Sequence, residues 1–371
     1  MPRCSYIECN RSLSKADRSQ APAPDELEVS VFGPGRGECI VVHVPNGPWF
    51  VIDSHNILVK SKRTPVAVAY LRDTLKVTSI HGLFLTHWHA DHTSGATELL
   101  KAFNPNLALV GLPIAFSQKE FASYMADLTS IDLKTKKVRE ILSAMTFLKA
   151  NPKIRAIRLG ELVRLNPPNS PWHLEALSPS MEDERLALAQ LADYQQGKRR
   201  TYDINSGCAV IRLEAGGLVA IFSSDLDIGK TVKHGWQAIV STSSPHLPAN
   251  IVKVGHHGSS TAFHPPAWDF FKKGTAKPIS VITPFPIKNG YLPKKEMLQE
   301  ISKYSGGLFV TANPPPNNKA GKLSRRRAPF SSYQPTPVMD LSRVGHVRIR
   351  LSAGNPIPRI DLFGDSAYEV S

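Results

Sequence analysis

The sequence predicts an α/β (α+β) chain folded as a four-layer αββα sandwich, with two β-rich halves face to face and helices on both outer sides. Three observations carry that expectation. Short apolar runs bounded by Gly, Pro and Asn recur through both halves of the 371 residues, which is the mark of many strands. Helix-patterned stretches fall between those runs. With 42% hydrophobic residues, the chain is also long enough to bury a full core.

Residues 1–26 mix Ser, Pro, Lys, Arg and Asp without hydrophobic periodicity, which predicts a flexible lead-in to one folded unit over 27–371. Leu27, Val29, Val31 and Phe32 begin the first strand, and Gly33-Pro34-Gly35-Arg36-Gly37 turns the chain into a second over Cys39 to Val44. Pro45-Asn46-Gly47-Pro48 makes the next turn, into Trp49 to Ile52 and then Asp53. A helix over Pro65 to Leu75 precedes a buried strand over Ile80 to Leu85, which runs straight into Thr86 to His92. Gly95 to Phe103 reads as helix and Leu107 to Gly111 as strand. Residues 117–149 read as an insertion of two helices with Lys and Arg outward. The pair is either a substrate-facing cap or an extension of the core. In the second half Leu174 to Leu177, Ala209 to Leu213, Leu218 to Phe222 and Ile251 to Val254 are strand-like, with a helix over Glu182 to Tyr194. A proline-rich basic loop over 313–340 leads to a closing hairpin, Gly345 to Leu351 with Arg359 to Phe363.

Composition narrows the function classes. No apolar run approaches the roughly 20 residues of a membrane-spanning helix, and the first residues lack the apolar core of a secretory signal. No membrane association is expected. Cys4, Cys9, Cys39 and Cys208 contain no C-x-x-C pair, which suits a reducing, cytoplasmic setting. The net charge of +14 favours an anionic partner, nucleic acid above all. Ser324-Arg325-Arg326-Arg327, with Lys319 and Lys322, is the densest basic cluster. Arg325, Arg326 and Arg327 are therefore candidate nucleic-acid contacts, and the plainer reading is solvated charge.

The strongest signal is Thr86-His87-Trp88-His89-Ala90-Asp91-His92. Three imidazoles and a carboxylate so close together make poor core packing, because each would need its own polar partner once buried. Metal binding explains them together. In an extended or turning segment His87 and His89 can face one cation while Asp91 and His92 turn to a second. His256 and His257 follow another strand and precede Gly258-Ser259. At least one should reach the metals or a substrate phosphate, and the other could protonate a leaving oxygen.

The pattern H-x-H-x-D-H after a strand resembles the signature of the metallo-β-lactamase superfamily. That resemblance assigns Asp53 to the aspartate that buttresses the motif loop through hydrogen bonds. It assigns Asp225, in Ile221-Phe222-Ser223-Ser224-Asp225, to the carboxylate that bridges two metals, with Ser224 where the family usually has Gly. The runs Val31 to Glu38, Asn205 to Val210 and Val252 to Ser259 are similar to the metallo-β-lactamase domain of the bacterial competence DNA-uptake channel proteins. The similarity runs from about Leu27 to the final hairpin. The channel that accompanies that domain has no counterpart in the sequence, so a free-standing hydrolase is expected.

The resemblance implies two divalent ions, Zn²⁺ or Mn²⁺, held by His87, His89, Asp91, His92, Asp225 and one or both of His256 and His257. Two positions depart from it: Asn205 stands where many members carry a histidine, and Leu292 where relatives have one in a Gly-His-Pro segment. The site would then lack a ligand, suit a weaker or different metal such as manganese, or be completed by His264. The expected activity is that of a phosphodiesterase or nuclease acting on DNA or RNA through a metal-activated water. Its catalytic set is Asp91, Asn205, His256 and His257, with Lys253 or one of the paired histidines acting on the leaving group. Two rivals stay open: a hydrolase of a small phosphodiester, cyclic nucleotide or lactone, and a binding or regulatory module that has lost catalysis.

Overall fold

The computed structural model of the protein describes residues 8–10, 18–33, 37–59, 62–104, 106–113, 115, 121, 123–124, 136–161, 163–166, 168–198, 205–242, 248–272, 274–287, 290–312, 341, 344–364 and 367–370. Among them two large sheets form, of nine and eight strands. The first runs Glu8–Asn10, Asn355–Phe363, His346–Ser352, Glu26–Phe32, Cys39–His43, Trp49–Ile52, Gly82–Phe84, Leu109–Pro113, Arg155–Leu159. The second runs Arg164–Leu165, Trp172–Ala176, Ile211–Ala215, Leu218–Phe222, Ile251–Lys253, Ile279–Ile282, Gly307–Val310, Tyr368–Glu369.

Side-chain alternation decides the layering. Val29 and Val31 of one sheet, and Leu213 and Ala220 of the other, meet in a single apolar cluster between the sheets. Phe32, Val41 and Val51 face the opposite way, where Tyr70, Leu99, Phe103 and Ile141 of the helices Ala96–Phe103 and Lys136–Ala150 and the turn Ala69–Thr74 cover them. On the far side Ile221, Val252 and Val310 pack under Trp236, Trp268 and Ile301, from the helices Gly235–Thr242, Pro265–Phe271 and Lys295–Tyr304. Helix, sheet, sheet, helix is the αββα sandwich. Each buried Val or Leu contributes roughly 1.5–3 kcal/mol of transfer free energy, so strands covered on both faces, such as Cys39–His43, bind the layers most strongly.

Each sheet contains a parallel block. Trp49–Ile52, Gly82–Phe84, Leu109–Pro113 and Arg155–Leu159 run together in the first. Leu218–Phe222, Ile251–Lys253, Ile279–Ile282 and Gly307–Val310 do so in the second. Ligands of parallel sheets gather beyond the carboxyl ends of the strands. Asp53, Thr86 to His92, Asp225, His256, His257 and Thr283 all follow such ends. The sheets are also tied beside this edge, where Thr311 Oγ1, after the strand Gly307–Val310, donates to Gly33 O of the first sheet (2.8 Å).

Part of the expected flexible lead-in, residues 8–10 and 18–26, falls among the described residues. Glu8–Asn10 pairs in parallel with Arg359, Ile360 and Asp361, and Arg18 is buried, its guanidinium over Phe363 and donating to Leu341 O. Charge rather than apolar periodicity recruits this segment. Arg348 and Arg350 are buried beside Asp361 and Glu28 (2.6 and 2.8 Å), and they donate as well to the backbone oxygens of Arg18 and Gln20. Lys136–Ala150 of the insertion is helical. Most of 117–135, and the basic loop 313–340 with Arg325, Arg326 and Arg327, lie outside the described residues. No helix among the described residues is long and apolar enough to cross a membrane.

Candidate metal centre

Backbone and second-layer contacts set the motif loop before any ligand is considered. Asp53, at φ +58, accepts hydrogen bonds from Thr86 N (2.8 Å) and Thr86 Oγ1 (2.7 Å), and its Oδ2 lies 2.7 Å from His92 Nδ1. A ring nitrogen engaged this way leaves the other, Nε2, to face the site. From the second sheet, Ala209 N donates to Thr86 O (3.0 Å) and Ser224 Oγ to Thr86 Oγ1 (2.7 Å). Ser224 has φ +48, a left-handed conformation that glycine adopts most easily. The serine exchanges that ease for a bond between the halves.

Three groups of donors lie close enough to hold a cation: Glu38, Asp53 and His92 in one, and two further sets that both use Asp225. Asp91, His92, Asp225 and His257 form one; His87, His89 and Asp225 form the other. Within them His87 Nε2 is 3.0 Å from His89 Nδ1, His257 Nε2 is 3.3 Å from Asp91 Oδ2, and His92 Nε2 is 3.4 Å from Asp225 Oδ1. Ligands about 2.0–2.1 Å from a tetrahedral ion stand about 3.4 Å apart, so these spacings suit a shared cation. The donor atoms fit as well. His92 Nε2, His257 Nε2 and Asp225 Oδ1 are buried without a hydrogen-bond partner, and such orphans cost about 1–3 kcal/mol each unless something satisfies them.

The charges point the same way. Burial pushes the carboxyl pKa values of Asp91 and Asp225 up, but His92 and His257 overcome it and hold both below the usual carboxylate range. Burial dominates at His87 and His89 and lowers their pKa values, so each imidazole is neutral with a lone pair to give. Burial also pulls His92 down, yet Asp225, Asp53 and Asp91 together raise it well above 6.5. Three carboxylates around one ring make a strongly cation-attracting environment.

The neighbouring histidines separate. His257 belongs to the donor set, with Nδ1 on Thr283 O (2.8 Å) and its ring stacked on Phe285 at 4.8 Å. His256 is half-exposed; its Nδ1 is 3.0 Å from Asp227 Oδ1, which also accepts from Thr261 Oγ1 (2.6 Å). Burial opposes protonation of His256, but Asp227 prevails and raises its pKa. Asn205 Nδ2 lies 3.5 Å from His256 Nε2, while Asn205 Oδ1 is buried and unpartnered. It offers an oxygen where a histidine would offer nitrogen.

Lys253 requires correction. Its ammonium is wholly buried, 2.5 Å from Glu38 Oε2 and donating to Val254 O (2.8 Å), so it cannot meet a leaving group. His264 begins the helix Pro265–Phe271 and joins none of the donor clusters found among the described residues. Leu292 sits in a small hairpin opposite Phe285 and supplies no donor. Sequence reasoning assigned no role to Glu38, Thr283 or Asp227. Glu38 gave one usable signal, a carboxylate opening an apolar strand; Thr283 gave none.

The fold and the shared-carboxylate site together define a metallohydrolase scaffold. The chain belongs to the metallo-β-lactamase superfamily, whose family model matches residues 33–265. A search of curated proteins finds no significant match. Similar solved structures include a CmlA beta-hydroxylase mutant (17% identity, 67% of this chain, 39% of that chain, TM-score 0.35). Another is the metallo-beta-lactamase fold protein YhfI from Bacillus subtilis (12% identity, 78% of this chain, 97% of that chain, TM-score 0.41). A third is Igni18, a metallo hydrolase from Ignicoccus hospitalis (14% identity, 70% of this chain, 82% of that chain, TM-score 0.35). The chain spans less than two thirds of the first of these.

Proposed function

We propose that the protein is a metal-dependent phosphodiesterase acting on nucleic acid. The observation that carries this reading is the pair of donor sets sharing Asp225, with buried, unpartnered nitrogen and oxygen atoms around it. His87, His89 and Asp225 would hold one divalent ion, Zn²⁺ or Mn²⁺, and Asp91, His92, His257 and Asp225 a second. Ions bound there acidify water toward neutrality and offset charge gathering on a phosphate. The protein's own groups divide the remaining work. Asp53 orients His92, Thr283 orients His257, and Asp225 holds the two sets in register. His256, half-exposed and steadied by Asp227, donates the proton to the departing oxygen. The net charge of +14 supports a polyanionic substrate over a small diester. The similarity to the competence DNA-uptake domain at Val31 to Glu38, Asn205 to Val210 and Val252 to Ser259 supports the same choice. The cysteine pattern suits a cytoplasmic setting.

Cleavage of single- and double-stranded DNA and of RNA in Mn²⁺, Mg²⁺ or Zn²⁺, over a range of salt, tests the reading. Wild-type protein is expected to cleave only with metal and to bind DNA less tightly as salt rises. His89→Ala should fall to background. His256→Gln should keep its metal and lose roughly 10²- to 10⁴-fold in rate. Turnover of a small diester or lactone without salt-sensitive DNA binding would transfer the protein to that substrate class. A metal-loaded protein that hydrolyses neither would be a binding module.

A further inference from the structure

Glu38 and Lys253 form an ion pair that the reaction above does not use. Their side chains are 1% and 0% exposed, with Lys253 Nζ 2.5 Å from Glu38 Oε2. Taking two charges out of water costs more than their attraction returns unless their other hydrogen bonds are also made, and an apolar pair of similar size commonly stabilises a core as well. Here Glu38 Oε1 is buried without a partner, and the other hydrogen bonds of the pair run toward the metal centre. Glu38 Oε2 accepts from Thr283 Oγ1 at 2.6 Å. Thr283 O accepts from His257 Nδ1 at 2.8 Å, and Thr283 Oγ1 lies 3.3 Å from the same nitrogen. Glu38 N donates to Asp91 O (2.9 Å), and Lys253 Nζ to Val254 O (2.8 Å), at the root of the loop that carries His256 and His257.

The chemistry of the threonine gives this chain a direction. A hydroxyl has one hydrogen to donate. The Thr283 carbonyl can only accept, so its 2.8 Å contact already requires a proton on His257 Nδ1; the hydroxyl, its hydrogen committed to Glu38, adds a second acceptor at 3.3 Å. The ring must then carry its proton on Nδ1, which leaves the Nε2 lone pair toward Asp91 and Asp225. Lys253 holds the Glu38 carboxylate in place, and the main-chain N–H of Glu38 fixes the backbone of Asp91. We propose that the Glu38–Lys253 pair is a positioning device for His257, acting through the Thr283 hydroxyl to hold the imidazole, in the tautomer that the Thr283 carbonyl sets, where it can bind metal. The proposal rests on the reading of His257 as a ligand.

Zn²⁺ affinity of the metal-stripped protein, measured by competition with a chromophoric chelator, and the His257 tautomer, read by ¹⁵N NMR, provide the test. Thr283→Val and the joint Glu38→Gln/Lys253→Met variant, each verified as folded by its melting curve, should weaken one Zn²⁺ site by roughly 10- to 100-fold. In both, the Nδ1-protonated form set by the unaltered carbonyl should persist while its ¹⁵N signals shift and broaden as the ring loses its fixed seat, and Thr283→Ser should restore affinity and the wild-type signals. Unchanged affinity in folded Thr283→Val would overturn the proposal, and this variant decides alone if the joint one does not fold. His257→Ala distinguishes the underlying assumption. Wild-type Zn²⁺ binding there would remove His257 from the ligand set. Loss of one ion there, with no effect of the other substitutions, would remove only the positioning role.

Discussion

His346 shows how a single side chain can carry a pH response. It lies fully buried between Phe32 (4.1 Å, 24° between planes) and Phe363 (4.9 Å, 22°), and neither ring nitrogen has a hydrogen-bond partner. Burial first, then the charges of Arg18, Arg348 and Arg350, hold its pKa well below 6.5. The unfolded chain takes up this proton near pH 6.5 while the folded protein refuses it. The unfolded state therefore binds more protons below that pH, and stability present above it is lost as pH falls. His55, buried and lowered to about 4, adds to the same window. His346→Phe keeps the stacking and should match or exceed wild-type melting temperature at pH 7. Its decline between pH 6.5 and 4.5 should be shallower, and an equal decline would contradict the assignment. The same scale marks where reading from sequence alone succeeds. His87 to His92 are legible because the donors are close neighbours in the chain. His256 and His257 are not separable that way: both adopt left-handed backbone, φ +44 and +54, and only the fold shows Asp227 waiting for one ring and Thr283 for the other. Lys253 misleads because its partner lies in a distant strand.

Among the elements, the strand ends beside the metal edge are the least tolerant. A Cβ on Gly345 would sit 1.7 Å from Thr311 O, a backbone atom with nowhere to go. Gly345→Ala should destabilise by about 1–3 kcal/mol or more, visible as a lower urea midpoint, whereas Gly354→Ala, with nothing near its Cβ, should change it little. Strands were largely readable as apolar runs between turn residues: Trp49–Ile52 and Leu218–Phe222 carry the boundaries that pattern suggests. The expected helix over Pro65 to Leu75 is less regular. It starts as one α-turn at Val66–Val68 and widens into a π-helical stretch at Ala69–Thr74, with Leu75 N on Tyr70 O. Six consecutive residues, Val66 to Leu71, are buried there, a demand no 3.6-residue stripe expresses. Periodicity alone does not reveal it.

Taken whole, the molecule is two halves closed over one set of donors. The four-layer plan was visible in the repeated strand rhythm; the placing of Arg18 and Gln20 was not, since buried guanidinium groups rather than apolar spacing hold them. Cations bound to both halves stabilise the folded state by mass action, about 2.7 kcal/mol at a hundredfold excess over the dissociation constant. Chelation should therefore lower the melting temperature, and added Zn²⁺ or Mn²⁺ should restore it. His89→Ala should respond less, and a wild-type response in that variant would argue against the first donor set. Asp225 has a last consequence for biosynthesis. A nascent chain leaves the ribosome with His87, His89, Asp91 and His92 exposed long before Asp225 follows, yet both donor sets need that carboxylate. Neither set is complete until the second sheet has begun to form, so metal capture waits on the late half of translation.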